Sequence, residues 1–122
     1  MSRTLVLTEA ARDDIAAILH ASAQAFGKLA YERYAALLAT GLSDLRRDPT
    51  RPGSADRPEL GAGLRTYHLR NCRKRAGASG SRVGAPRHLL AYRIEGADQV
   101  VVLRVLHDAM ELAAHLGAER QG

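Results

Sequence analysis

The stretch VVVLRVLHDAMELAAHL, residues 100–116, carries two periodicities in succession. Its first half is an apolar run broken only by Arg104, with no polar alternation. Such a run reads as a central strand covered on both faces. After His107 the apolar residues Ala109, Leu112, Ala113 and Leu116 recur at i, i+3, i+4 and i+7. That is helical spacing, with Asp108 as N-cap or first-turn acid and Gly117 as the stop. The period changes at Arg104, His107 and Asp108. This cluster is either a catalytic set or the junction of a strand with a short C-terminal helix.

Working outward, residues 87–95 (RHLLAYRIE) form a second β-rich run, joined to the first by a tight Gly-Ala-Asp turn. Residues 64–71 (LRTYHLRN) alternate between two faces and predict a third strand. Residues 48–63 contain Pro49, Pro52, Gly53, Pro58, Gly61 and Gly63 and read as a loop. Residues 72–86 are basic and rich in Gly, Ser and Ala and read as an extended loop. At the N-terminus, RTLVL (3–7) predicts a first strand. Thr8 follows as a helix N-cap, with Glu9, Asp13 and Asp14 in the early turns, where carboxylates favour the helix dipole. Ala11, Ile15, Ile18, Leu19 and Ser22 share one helical face, and Gly27 breaks the helix. Phe26, Ala30, Tyr34, Leu37, Leu38, Gly41 and Leu45 line the stripe of a second helix that ends before Pro49. The order predicts an α+β fold, a helical hairpin on a small, mostly antiparallel sheet, within one domain spanning 1–122.

With 46% hydrophobic residues, one Phe and no Trp, the core must be built from Leu, Val, Ile and Ala. Cys72 is the only cysteine, so no internal disulfide and no structural zinc site is expected. Flanking Arg73, Lys74 and Arg75 would lower its pKa and make it a candidate reactive thiol, though no base is placed beside it. No signal peptide and no membrane-length run is present, which predicts a cytoplasmic protein without a membrane partner. No phosphate-binding glycine loop, metal-ligand set or nucleophile elbow occurs, and no cofactor is expected.

The net charge is +5, and its placement is uneven. Between Leu64 and Arg93 stand eight basic residues, Arg65, Arg70, Arg73, Lys74, Arg75, Arg82, Arg87 and Arg93, and no acid. This asymmetry points to an anionic partner, either nucleic acid or an acidic protein segment. A metal-free ribonuclease would need a general base, a general acid and cations for the phosphorane charge. Arg73, Arg87, Arg104, His68, His88 and His107 are the candidates. Against that, a His at a strand end commonly bonds backbone or water, and Arg104 could pair with Glu95 or Asp108 for structure alone.

The segments YHLRNCR, PRHLLAYRIE and VVVLRVLHDAMELAAHL together resemble the ParE branch of the RelE/ParE toxins of type II toxin–antitoxin systems. The closing Arg104, Val105, Leu106, His107, Met110, His115 and Leu116 carry most of the likeness, and the AFG at 25–27 matches the helix-to-helix break. The resemblance implies a four-stranded sheet with the first strand beside the last, in the order 1-4-3-2. It implies inhibition of DNA gyrase, through its A subunit, by binding rather than hydrolysis. It also implies neutralisation by an acidic, ParD-like antitoxin from an adjacent gene, forming a hetero-oligomer. Arg87, Arg104, His107, Asp108, Met110 and Glu111 would be the target-binding residues, and Ile15, Ile18, Leu19, Tyr34, Leu37 and Leu38 the antitoxin-binding ones. The RelE-like branch offers the alternative, a ribosome-dependent mRNA endoribonuclease built on Arg73, Arg87, Arg104 and His107. Residues 72–86 are longer and more basic than the compact ParE connection.

Overall fold

The computed structural model describes residues 3–76 and 85–109. Strand β1 (Thr4–Leu7) leads directly into α1 (Glu9–Phe26). Thr8 makes the join as predicted: its Oγ1 accepts the Ala11 N–H at 3.1 Å and donates to the Leu103 carbonyl at 2.7 Å. Gly27, at φ +91°, provides the left-handed residue between α1 and α2 (Lys28–Arg47). Then come β2 (Ser54–Asp56), β3 (Leu64–His68), a 3₁₀ turn (Leu69–Cys72) and the short α3 (Arg73–Ala76). Strands β4 (His88–Glu95) and β5 (Gln99–His107) close the described chain.

The sheet order is β1-β5-β4-β3-β2. Strand β1 runs parallel to β5, and the other neighbours are antiparallel. The order expected for four strands is present, and the added edge strand makes five. That strand is Ser54–Asp56, inside the segment read as a loop. Three residues between Pro52 and Pro58 are too few to show a period, so only pairing with β3 defines them. The alternation at 64–71 persists only to His68. Beyond it Leu69 and Cys72 are both buried, a spacing of three that belongs to a helical turn. The basic segment therefore begins as a 3₁₀ turn and a helical turn, not as extended loop. The C-terminal helix expected over 109–116 lies outside the described residues, apart from Ala109.

Strand β5 is central and covered on both sides, as its unbroken apolar run predicts. Val100, Val102 and Val105 pack under the helices with Leu37, Leu38, Leu45, Tyr67, Leu90 and Tyr92. Leu103 and Leu106 pack on the opposite face with Leu60, Leu64, Leu89 and Ala91. A β-bulge lies between these sets: Ala91 faces Arg104 and Tyr92 faces Val102, so Leu103 is the extra residue.

The second helix comes very close to the 3₁₀ turn. A Cβ on Gly41 would sit 2.7 Å from Leu69 Cδ2 and 3.4 Å from Leu90 Cδ1. Leu69 and Leu90 are both fully buried and have little room to move. Gly41→Val should therefore destabilise the fold by roughly 2–3 kcal/mol through overpacking, although glycine is itself a poor helix former. Urea unfolding of the two proteins measures the difference, and an unchanged midpoint would contradict this packing.

Candidate functional site

Two polar constellations surround the end of β5. The first is on the side of α1. Strand β1 pairs with β5 only as far as Val102, so the next part of that edge has no strand beside it. Asp14, in the second turn of α1, fills the gap. Its Oδ2 accepts the Val105 N–H at 2.9 Å and Arg104 Nε at 2.7 Å, and its Oδ1 accepts Arg104 Nη2 at 2.9 Å. The two side chains are 22% and 16% exposed, so this forked, charge-assisted pair is largely out of water. Arg104 thus pairs with neither Glu95 nor Asp108. Glu95 stands at the far end of the hairpin opposite Gln99, and Asp108 is otherwise engaged.

The second constellation joins the ends of three strands. Asp108 takes His68 Nε2 on Oδ2 at 2.8 Å and the Arg87 guanidinium on Oδ1 at 3.0 Å. Its carboxyl is held below the usual range, chiefly by the His68 hydrogen bond and then by Arg87. His68 Nδ1 accepts the Arg70 N–H at 3.1 Å, which leaves the ring proton on Nε2 to point at Asp108. The helix that Asp108 was expected to cap lies outside the described residues. The next free N–H, from Ala109, bonds His107 Nδ1 at 3.1 Å.

Beside this lies a stack of three rings. Tyr34 Oη is 2.6 Å from His88 Nδ1, and the His88 ring meets those of Tyr34 and His107 edge-on at 5.5 and 5.3 Å. Burial raises the Tyr34 pKa, so its phenol stays protonated and donates to His88. Burial, followed by the neighbouring His107, pushes His88 down to about 4, leaving it neutral near pH 7. The stack forms one end of a groove of about 830 Å³ between the hairpin tip and the ends of β4 and β5. The groove wall is apolar, with Ala17, Ala21, Ala25, Phe26 and Leu29. Phe26 is 81% exposed and Leu29 54%, so the apolar stripe expected to be buried along α2 emerges from the core at its N-terminal end. Arg33 also lines the groove, with its Nε buried and unbonded.

The structure brings Arg87, His107 and Asp108 together. It places Arg104 on the α1 side in the grip of Asp14. Arg73 lies on the short α3, and Met110 and Glu111 fall outside the described residues. Among the residues assigned to an antitoxin, Ile15, Ile18, Leu19 and Tyr34 all pack against the core, and Ile18 and Tyr34 also line the groove. Leu37 and Leu38 are 1% and 2% exposed and belong to the core itself. A helix laid on a sheet spends its main apolar stripe there, which removes these two from any surface. Cys72 is likewise not a reactive thiol. It is buried, and that burial, helped by nearby Asp44, pushes it up to about 11 despite the adjacent cations. Asp14, Arg33 and Leu29 were missed. Asp14 has the right distance from the Thr8 cap to be a first-helix acid, but nothing in sequence reveals which strand edge it would meet.

A helical hairpin across a mixed sheet, with β1 at the edge beside the last strand, is the architecture of the RelE/ParE toxins. The chromosomal ParDE TA system from P. aeruginosa is similar in fold, with a TM-score of 0.62 at 17% identity, over 87% of this chain and 96% of that one. The family model for the ParE toxin of type II toxin-antitoxin systems, parDE, matches residues 5–112. The chain belongs to that family. No curated protein sequence matches it.

The depressed His88 pKa has a consequence for stability. An unfolded chain takes up this proton near pH 6.5, and the folded chain only near 4. Between these values the unfolded state binds more protons, so stability is full above about 6.5 and falls as the pH drops towards 4. Thermal melts of the protein and of His88→Asn over that range should show a flatter pH slope for the variant. Parallel slopes would mean that His88 does not carry this dependence.

Proposed function

We propose that this ParE-family toxin inhibits DNA gyrase by binding to its A subunit, with no hydrolytic step, and that an acidic, ParD-like antitoxin neutralises it. Membership of the ParE family is the main support. The observation favouring contact over chemistry is the state of Arg104. A cation meant to stabilise a phosphorane must be available to it, whereas this guanidinium is forked onto Asp14, which also holds the strand edge. The target-facing surface on this reading is the exposed part of the Arg87–His107–Asp108 cluster, where the Arg87 side chain is 59% exposed and that of His107 38%. No helix among the described residues is long and apolar enough to cross a membrane.

Purified toxin mixed with gyrase and relaxed plasmid should block supercoiling. Arg87→Ala and His107→Ala should each require about tenfold more protein, the equivalent of roughly 1.4 kcal/mol of binding. Supercoiling untouched by the wild-type toxin would reject the reading. Codon-phased mRNA cuts after induction would replace it with the ribonuclease alternative.

The antitoxin docks, on this reading, in the groove between the hairpin tip and the strand ends, not on the stripe that includes Leu37 and Leu38. The groove offers exposed Phe26 and Leu29 to an apolar face and Arg33, whose Nε has no partner, to a carboxylate. Phe26→Asp and Leu29→Asp lie outside the core and should leave the melting temperature nearly unchanged. Each should weaken antitoxin binding in calorimetry at least tenfold, by about 1.4 kcal/mol. Full affinity in both variants would place the antitoxin elsewhere.

A further inference from the structure

The basic window between Glu59 and Glu95 contains no acidic residue, yet the fold neutralises part of it with acids from elsewhere. Arg75 forks onto Asp44 of α2, Arg87 bonds Asp108, and Arg93 bonds Glu95. Arg65 reaches Ser54 and the Tyr92 hydroxyl. Arg70 and Lys74, both on residues 69–76, have none of these partners.

These eight residues have two distinct faces. Leu69 and Cys72 are fully buried and Ala76 packs against the core. Arg70 and Lys74 are exposed on the other face, with Arg73 between them half-buried. Neither Arg70 nor Lys74 has an acidic partner among the described residues. They are four positions apart across the 3₁₀ turn and the start of α3, so their Cα atoms are spaced by about 6–8 Å along the axis. The segment is rigidly mounted, since Leu69 is wedged against Gly41 and Arg75 is clamped by Asp44 at 2.5 and 2.6 Å. Asn71 adds a hydrogen bond to the His68 carbonyl at 2.9 Å. The cations are thus displayed on a fixed scaffold.

We propose that the outer face of residues 69–76 binds the phosphate backbone of duplex DNA. The face has the right charge for a polyanion. An acidic protein segment would gain most of its affinity by burying apolar surface, and the apolar side chains here all point inward. Phosphate contacts need no such surface and carry no sequence preference. The inference does not rest on gyrase being the target, because it concerns binding by the toxin alone.

The test is fluorescence anisotropy of a labelled short DNA duplex titrated with the full chain over a range of salt. Binding at about 50 mM salt, weakening with a log–log slope near −2 or steeper, is expected from two or more phosphate contacts at about −0.9 each. Arg70→Glu/Lys74→Glu should weaken binding more than tenfold and make the slope shallower by about two. Arg70→Gln/Lys74→Gln should show the same direction, and serves in its place if circular dichroism shows the charge-reversed protein misfolded. Arg12→Glu/Lys28→Glu, an equal charge change on the helical hairpin, should bind nearly as the wild type. No binding at low salt, or equal losses in the hairpin variant, would overturn the proposal. So would a polyglutamate peptide or single-stranded RNA that displaces the duplex at lower concentration than unlabelled duplex does.

Discussion

The described fold depends on how the last strand is held at the point where its neighbour stops. A central strand needs partners on both edges, because each unpaired buried N–H costs about as much as a lost hydrogen bond. Strand β1 supplies only four residues against the nine of β5. Beyond Val102 the first helix replaces it. The Thr8 hydroxyl takes the Leu103 carbonyl and the Asp14 carboxylate takes the Val105 N–H. Arg104 is drawn into the same site, and its charge offsets that of Asp14 in a place with little water. The bulge at Leu103 matters here. It resets the alternation so that Val105 returns to the helix-facing core after Arg104 has left the apolar series.

This arrangement explains what could and could not be read in the sequence. The order of the main elements, the Thr8 cap, the break at Gly27 and the burial of β5 are local patterns, and each is visible in a window of a few residues. The partner of Arg104 is not local: Asp14 lies ninety residues away. The pairing follows from where β1 ends and where β5 bulges, and neither has a signature in the sequence. Strand β2 is invisible for a similar reason, since three residues carry no period and only β3 makes them a strand. Leu37 and Leu38 were misassigned because an apolar stripe looks the same whether a sheet or another protein covers it. Exposed Phe26 looks like core in the sequence for the same reason.

The groove and the histidine cluster are one continuous surface. Arg87, His88 and His107 line the groove, while Arg87 and His107 also touch or flank Asp108. A partner filling the apolar end would lie against the same cations that a target would meet. On the reading proposed above, neutralisation then needs no conformational change, because two partners would compete for overlapping space. Tyr34 connects the two regions, with its ring packed on the core and its hydroxyl on His88.

Asp44 is 1% exposed, accepts hydrogen bonds from Tyr67 and Arg75, and forms an ion pair with Arg51, on three different parts of the chain. Burial pushes its pKa up, but these partners more than offset that and hold it below the usual range. Such sharing ties the evolutionary fates of these positions together. Losing either arginine leaves the other to satisfy the carboxylate. Losing the carboxylate first removes the shared acceptor of Tyr67 and both guanidinium groups at once. Substitutions here are strongly non-additive, and their order matters. A lineage that sheds Arg51 or Arg75 first keeps the carboxylate paired, whereas one that changes Asp44 first loses three contacts in a single step.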